Sequence, residues 1–207
     1  MADNIIKINP NEYTVLDVGC GMRKYEGKEG QRVIGIDKVK TPCVDVVYDI
    51  DKGLPFKDKS VDMVYMDNAL EHMADFEFQM AEICRVLKGY GEVVIKVPHY
   101  SSFRAFTFGH KLFFTVTIMD GFRKNDPMSF MFPNIKFSKV KVRLRTWYMT
   151  DKNMKKYPML KYGYYTLLPV LKLWEGVMNL KPVFYEKFSE TLSPFTNIFE
   201  LEFRLKK

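Results

Sequence analysis

Histidine, cysteine and tryptophan are scarce in this chain of 207 residues, which holds three, three and two of them. Cys20, Cys43 and Cys84 are odd in number and far apart. That excludes a disulfide framework and a cysteine-rich zinc site, and makes a reducing cytoplasm the expected location. The histidines show no helical metal spacing and no cysteine joins them, so no metal is expected. Long apolar runs are also missing. The most hydrophobic stretch, "YTLLPVLKLWEGVMNL" (165–180), is broken by Pro169, Lys172 and Glu175, and falls short of the roughly 20 apolar residues of a membrane span. The opening "MADNIIKINPNEY" has no apolar core of the signal-peptide kind. There is no internal repeat, low-complexity tract or interdomain linker, so a single domain over 1–207 is expected.

Charge of one sign is not massed in blocks, but it is unevenly shared. Residues 1–103 hold 13 Lys and Arg against 17 Asp and Glu, whereas residues 104–207 hold 19 against 8. A basic half suits an anionic partner such as phosphate, nucleic acid or a membrane surface. The scatter of those charges favours a solvated face over a nucleic-acid interface. Phe and Tyr are plentiful, at 17 and 12, as in an aromatic-rich core or a pocket lined with rings.

The first half reads as apolar strands separated by turns: "YTVLDV" (13–18), "RVIGID" (32–37), "VDVVYDI" (44–50), "SVDMVYM" (60–66) and "GEVVIKVP" (91–98). Near-continuous apolar runs suit a parallel sheet buried on both faces. A helix is expected over 74–89, where Phe76, Met80, Ile83, Cys84 and Leu87 share one face and Gly89 stands as a C-cap. The connections after the first and second strands are too short and polar for ordinary crossover helices. Beyond Pro98 an aromatic, acid-poor segment reads as a lid (about 99–122), and "TVTIMDGF" as a short helix. Alternating stretches at 136–149 and 197–207 predict two antiparallel strands at one sheet edge, with a mostly helical insertion (about 152–180) between them.

Chemistry concentrates in "VLDVGCGMRKYEG" (15–27). Gly19 and Gly21 directly follow a buried parallel strand, where the backbone can approach a ligand. The pattern lacks the third glycine of a dinucleotide loop, with Lys24 in its place, and it does not end in the G-K-[ST] of a phosphate loop. NAD and ATP are therefore disfavoured. Asp37 ends the next strand, where a carboxylate can take both hydroxyls of a ribose.

The ordered series "VLDVGCG", "VIGID", "DIDKGLPFKDKSVDMVYMDNALEHM" and "EICRVLKGYGEVVIKVPHY" resembles the class I S-adenosylmethionine-dependent methyltransferases. Within them it is similar to a lean subgroup with a Gly-Cys-Gly-x-x-Lys loop. The resemblance implies a Rossmann-like α/β fold: a mostly parallel seven-stranded sheet with an antiparallel C-terminal edge hairpin, helices on both faces, and shortened early helices. It implies S-adenosyl-L-methionine as cofactor and S-adenosyl-L-homocysteine as product. Gly19 and Gly21 would pass under its methionine moiety and Asp17 would help hold the ammonium. Asp37 would bind the ribose, Asp49 the adenine amino group with Ile50 beside the ring, and Asp67 and Asn68 would border the methionine end. Lys24, or Arg23, would reach the cofactor carboxylate.

Methyl transfer needs alignment and, where the acceptor arrives protonated, a base. The candidates are His72 with Glu71 in "LEHM", His110 in "FGHKLFF", and His99 after the fifth strand. The acceptor is open: a small or carrier-linked molecule, anionic or aromatic, leads. RNA or protein methylation by the basic half, and a non-catalytic cofactor-binding module, stand as alternatives. A dehydrogenase is disfavoured by Lys24. Nothing in the pattern sets an oligomeric state.

Overall fold

A computed structural model describes residues 5–145, 169–170, 172–192 and 200–207. Seven strands form one sheet in the order β3-β2-β1-β4-β5-β7-β6. They are β1 (Tyr13–Val18), β2 (Gln31–Asp37), β3 (Val46–Val47), β4 (Val61–Asp67), β5 (Leu87–Pro98), β6 (Lys139–Arg145) and β7 (Glu200–Lys206). β1 to β5 pair in parallel. β7 runs antiparallel between β5 and β6. The predicted C-terminal pair therefore forms as read, although only β6 lies at the edge.

Helix α1 (Phe76–Val86) links β4 to β5, with the Asp75 side chain accepting from the Phe78 N–H as N-cap. It ends earlier than its periodicity suggests. Leu87 is fully buried, already extended, and paired with Val61, so Gly89 lies inside β5 and caps nothing. Residues 172–180 (α2) and Pro182–Leu192 (α3) are also helical. Thus the described end of the predicted insertion is helical, while 152–168 falls outside the described residues. The short helix expected near 115–122 is a 3-10 turn, Asp120–Phe122. β3 shrinks to two residues, because only Val46 and Val47 reach the neighbouring strand.

The sheet's two faces are covered differently. Leu16, Ile36, Met66, Ile95 and Phe203 point into the main core with α1, Phe114, Phe122 and Phe137. Val15, Met63, Tyr65 and Val94 form a small cluster on the opposite face, joined by Tyr25 and Val33. Residues 19–30 hold no helix; Tyr25 takes its place by stacking on Tyr65 with ring centroids 4.4 Å apart. At the sheet's amino end the buried Asp62 accepts from the Thr14 N–H at 2.9 Å and from Lys88 Nζ at 2.8 Å, which ties β1, β4 and β5 together.

Candidate active site

The carboxyl ends of β1, β2 and β4 converge where an open α/β sheet binds ligands. Gly19 (φ +73°) and Gly21 (φ +51°) both occupy the left-handed region that glycine adopts without strain. A Cβ at Gly19 would stand 2.5 Å from the Cβ of Ala69, just beyond β4. The Gly19 N–H donates to the Ile36 carbonyl at 2.8 Å, and the Gly21 N–H donates to Asp37 Oδ2 at 3.0 Å. The other Asp37 oxygen accepts from the Val39 N–H at 2.9 Å, and Thr41 Oγ1 donates to the Gly21 carbonyl at 2.6 Å. The loop is therefore clamped from β2, with bare backbone toward β4.

Two further acids sit at the same sheet end. Asp17 is buried and accepts from the Tyr25 N–H at 2.6 Å. Burial, outweighing that bond, pushes its carboxyl up to about 6, with the charge of Asp67 adding to the rise. Asp67 accepts from Tyr65 Oη at 2.9 Å and from Asn68 Nδ2 at 2.6 Å, with Lys96 Nζ at 3.4 Å. Asn68 itself is in the left-handed region, at φ +53°. Asp49 N-caps the 3-10 turn Ile50–Lys52 and Ile50 is buried in the core.

Lys24 has a partner within the fold. Its Nζ pairs with Asp45 at 2.8 Å, and Asp45 also accepts from the Gly35 N–H at 2.7 Å. The lysine thus closes the β2–β3 connection through a partner 21 positions away, outside the glycine loop. Arg23 is exposed. Tyr25 went unread as a site residue; its position directly after the glycine loop, as the first aromatic there, was the available signal.

A second cluster forms beyond β4. The 3-10 turn Leu70–His72 presents Glu71, which is completely buried. Its main-chain carbonyl accepts from the N–H groups of Lys111 (2.8 Å) and Leu112 (3.2 Å), and this draws the lid segment across the turn. His110 arrives with that segment, Nε2 4.0 Å from Glu71 Oε1, its ring edge-on to His72 at 4.6 Å. His72 Nδ1 bonds the Gly109 carbonyl at 3.1 Å. Burial drives the Glu71 carboxyl up to about 7, against the pull of the Arg104 charge. Burial, then the neighbouring His72, holds His110 below its ordinary value.

His99 does not join this cluster. It is fully buried and takes the Ser101 N–H on Nδ1 at 3.2 Å, so Nε2 donates to Glu186 Oε1 at 2.9 Å. Glu186 also accepts from the Val116 N–H at 2.8 Å. That arrangement fastens α3 to the end of β5 and to the lid.

Residues 16–95 match the family described as a methyltransferase domain. Over this segment the chain is similar to that methyltransferase family. The segment runs from β1 into β5 and includes both glycines, the four strand-end acids and the Glu71–His72 turn. A protein from a transposon of Streptomyces fradiae is 32% identical over 108 residues, covering 43% of this chain and 31% of that protein. A protein of Methanocaldococcus jannaschii is 29% identical over 106 residues, covering 45% and 44%. The chain thus spans less than half the length of the curated relatives it matches. An S-adenosylmethionine-dependent methyltransferase of Archaeoglobus fulgidus superposes with a TM-score of 0.54 at 17% identity, covering 96% of this chain and 87% of that one. The methyltransferase fold therefore extends over the C-terminal strands as well. Among the described residues, no helix is long and apolar enough to cross a membrane.

Proposed function

We propose that the chain is a methyltransferase that binds S-adenosylmethionine at the carboxyl ends of β1, β2 and β4 and methylates a small or carrier-linked acceptor. The observation that carries this reading is the glycine loop. Positive φ at Gly19 and Gly21, together with the 2.5 Å approach of a Gly19 Cβ to Ala69, keeps a cradle that any side chain would fill. The residues around it fit the cofactor's chemistry. Its ammonium and sulfonium are cationic, and Asp17 and Asp67 supply negative charge at that end. Asp37, held by two backbone N–H groups, keeps lone pairs for ribose hydroxyls.

When bound, the cofactor supplies an activated methyl group for in-line transfer. The protein's part is alignment, exclusion of water and, for a protonated acceptor, removal of a proton. Gly19 and Gly21 set the depth of the donor site, while the Asp17–Tyr25 bond holds the loop against β1. Asp49 and Ile50 border the adenine end, and Asn68 the methionine end. Glu71, His72 and His110 stand on the acceptor side. His72 and His110 hold nitrogen bases there, His72 oriented by the Gly109 carbonyl, with the Glu71 carboxyl beside them. Phe103, Phe106, Phe108 and Phe113 are exposed on the lid, which suits an acceptor with an apolar or aromatic body. Arg104 and Lys111 in the same segment suit an anionic group upon it.

Calorimetric titration with S-adenosylmethionine, and separately with NAD, tests the reading. Binding of the first alone, lost in Asp37→Ala, is expected. Binding of NAD, or no binding of either, overturns it. Release of S-adenosylhomocysteine with a panel of acceptors then separates an enzyme from a cofactor-binding module.

A further inference from the structure

Glu71 is the anomaly of this molecule. Both of its carboxylate oxygens are buried, and among the described residues no group outside Glu71 itself hydrogen-bonds them, its own backbone being the only such contribution. A buried carboxyl left unbonded costs on the order of 1–3 kcal/mol, more when charged, whichever protonation state it holds. Native folds rarely keep such a group unless it faces an ordered water, an ion or a reactant. The other strand-end acids of the site all receive N–H or O–H bonds, so the exception is confined to the acceptor side.

What Glu71 faces is a set of donors. One ligand atom each from Glu71, His72 and His110 lies within 4.8 Å of the others. His72 is already oriented: its Nδ1 bonds a carbonyl, which can only accept, so Nδ1 carries the proton and Nε2 keeps the lone pair. A histidine nitrogen fixed in this way by a backbone carbonyl is the usual outer support of a metal ligand. His110 is held in place by the two bonds from the lid main chain to the Glu71 carbonyl. These tie a residue 38 positions downstream to the turn that carries the other two.

We infer that Glu71, His72 and His110 form a binding site for a divalent first-row transition metal, zinc above all. Two imidazoles and one carboxylate make a donor set suited to such ions and poorly suited to magnesium or calcium, which prefer oxygen. Metal–nitrogen bonds of about 2.0–2.1 Å put neighbouring ligand atoms roughly 3.3 Å apart. Small side-chain rotations close the present cluster to that size. Three protein ligands leave at least one position open, as in catalytic zinc sites. The open position can take an acceptor oxygen or sulfur and hold it deprotonated. That use of the metal rests on the methyltransferase reading; the binding of the metal does not.

The test is titration of chelator-stripped protein with Co2+ and with Zn2+, followed by calorimetry and, for cobalt, visible absorption. One equivalent of each metal is expected to bind, with cobalt showing the ligand-field bands of a nitrogen and oxygen site. Glu71→Gln and His110→Ala should each weaken binding by about tenfold or more. Zn2+ should raise the melting temperature of the parent protein by more than that of Glu71→Gln. No binding overturns the proposal, as does equal binding by the parent and both variants. A sulfur-to-cobalt charge-transfer band also overturns it, since the metal then sits on cysteine. S-adenosylmethionine affinity on the same stripped protein keeps the two readings apart. A protein that binds the cofactor but takes up no metal loses only the metal site, and one that takes up metal but not the cofactor loses only the methyltransferase reading.

Discussion

The acids on the two sides of the site are treated in opposite ways. On the proposed cofactor side, Asp37 receives two backbone N–H groups, Asp17 receives one, and Asp67 receives a tyrosine hydroxyl and an amide. On the proposed acceptor side, Glu71 is more deeply buried than any of them and receives no hydrogen bond from another of the described residues. Hydrogen-bonded carboxylates are fixed in direction, so the cofactor side is organised before its ligand arrives. An unbonded buried carboxylate is organised by what it binds. On the proposed reading, the fold completes one half of its site with its own backbone and leaves the other half to be completed by a ligand.

His99 offers the largest way to break this contrast. If it is structural, His99→Ala should cost about 3–5 kcal/mol, the range for removing one partner of a buried pair, and leave cofactor affinity unchanged. Chemical denaturation and calorimetry read the two effects separately. A stable variant that has lost turnover would move His99 to the acceptor side of the comparison.

Asp17 comes next, through its titration. Its folded value of about 6 lies above the ordinary 3.8, so the folded state holds the proton more tightly than the unfolded chain. Stability from this group is then complete below about pH 3.8 and is lost as pH rises through about 6, by about 3 kcal/mol in all. Asp17→Asn should remove that slope, which denaturant midpoints measured across the window would show as a shrinking difference between parent and variant toward acid. A parallel pair of profiles would mean that Asp17 is not desolvated.

Gly19→Ala follows. A side chain at φ +73° costs roughly 1–3 kcal/mol, and its Cβ meets Ala69. The expected outcome is a modest fall in melting temperature with loss of S-adenosylmethionine binding. Retained affinity would show that the cradle is not where the cofactor lies.

How much of this was legible beforehand follows from how local each feature is. β1 was read at its observed bounds, and β2 and β4 to within a residue, because continuous apolar runs between turn residues carry their own signal. The missing early helices were legible from the short, polar connections. The end of α1 was not: Val86 and Leu87 continue the helical pattern, yet pairing of Leu87 with Val61 pulls the chain into β5 at once. The glycine loop and its acids were legible because they lie at strand ends in one ordered series. The Glu71–His72–His110 cluster was not read as a ligand set, since His110 is delivered by main-chain bonds across the lid and no spacing rule reaches so far. The partners of His99 and Lys24 were hidden for the same reason.

Lys24 gives the smallest effect and the sharpest check on the cofactor side. Its pair with Asp45 is partly exposed, the two side chains being 30% and 45% accessible, so solvent screens it and its worth stays below roughly 1 kcal/mol. Asp45 keeps the Gly35 N–H when the lysine is gone, so the β2–β3 turn should survive. Lys24→Met should therefore shift stability slightly and leave S-adenosylmethionine affinity almost unaltered. A large loss of affinity would mean that the lysine leaves Asp45 for the cofactor's carboxylate on binding. In that case the cofactor side too would be completed by its ligand, and the contrast with Glu71 would be one of degree.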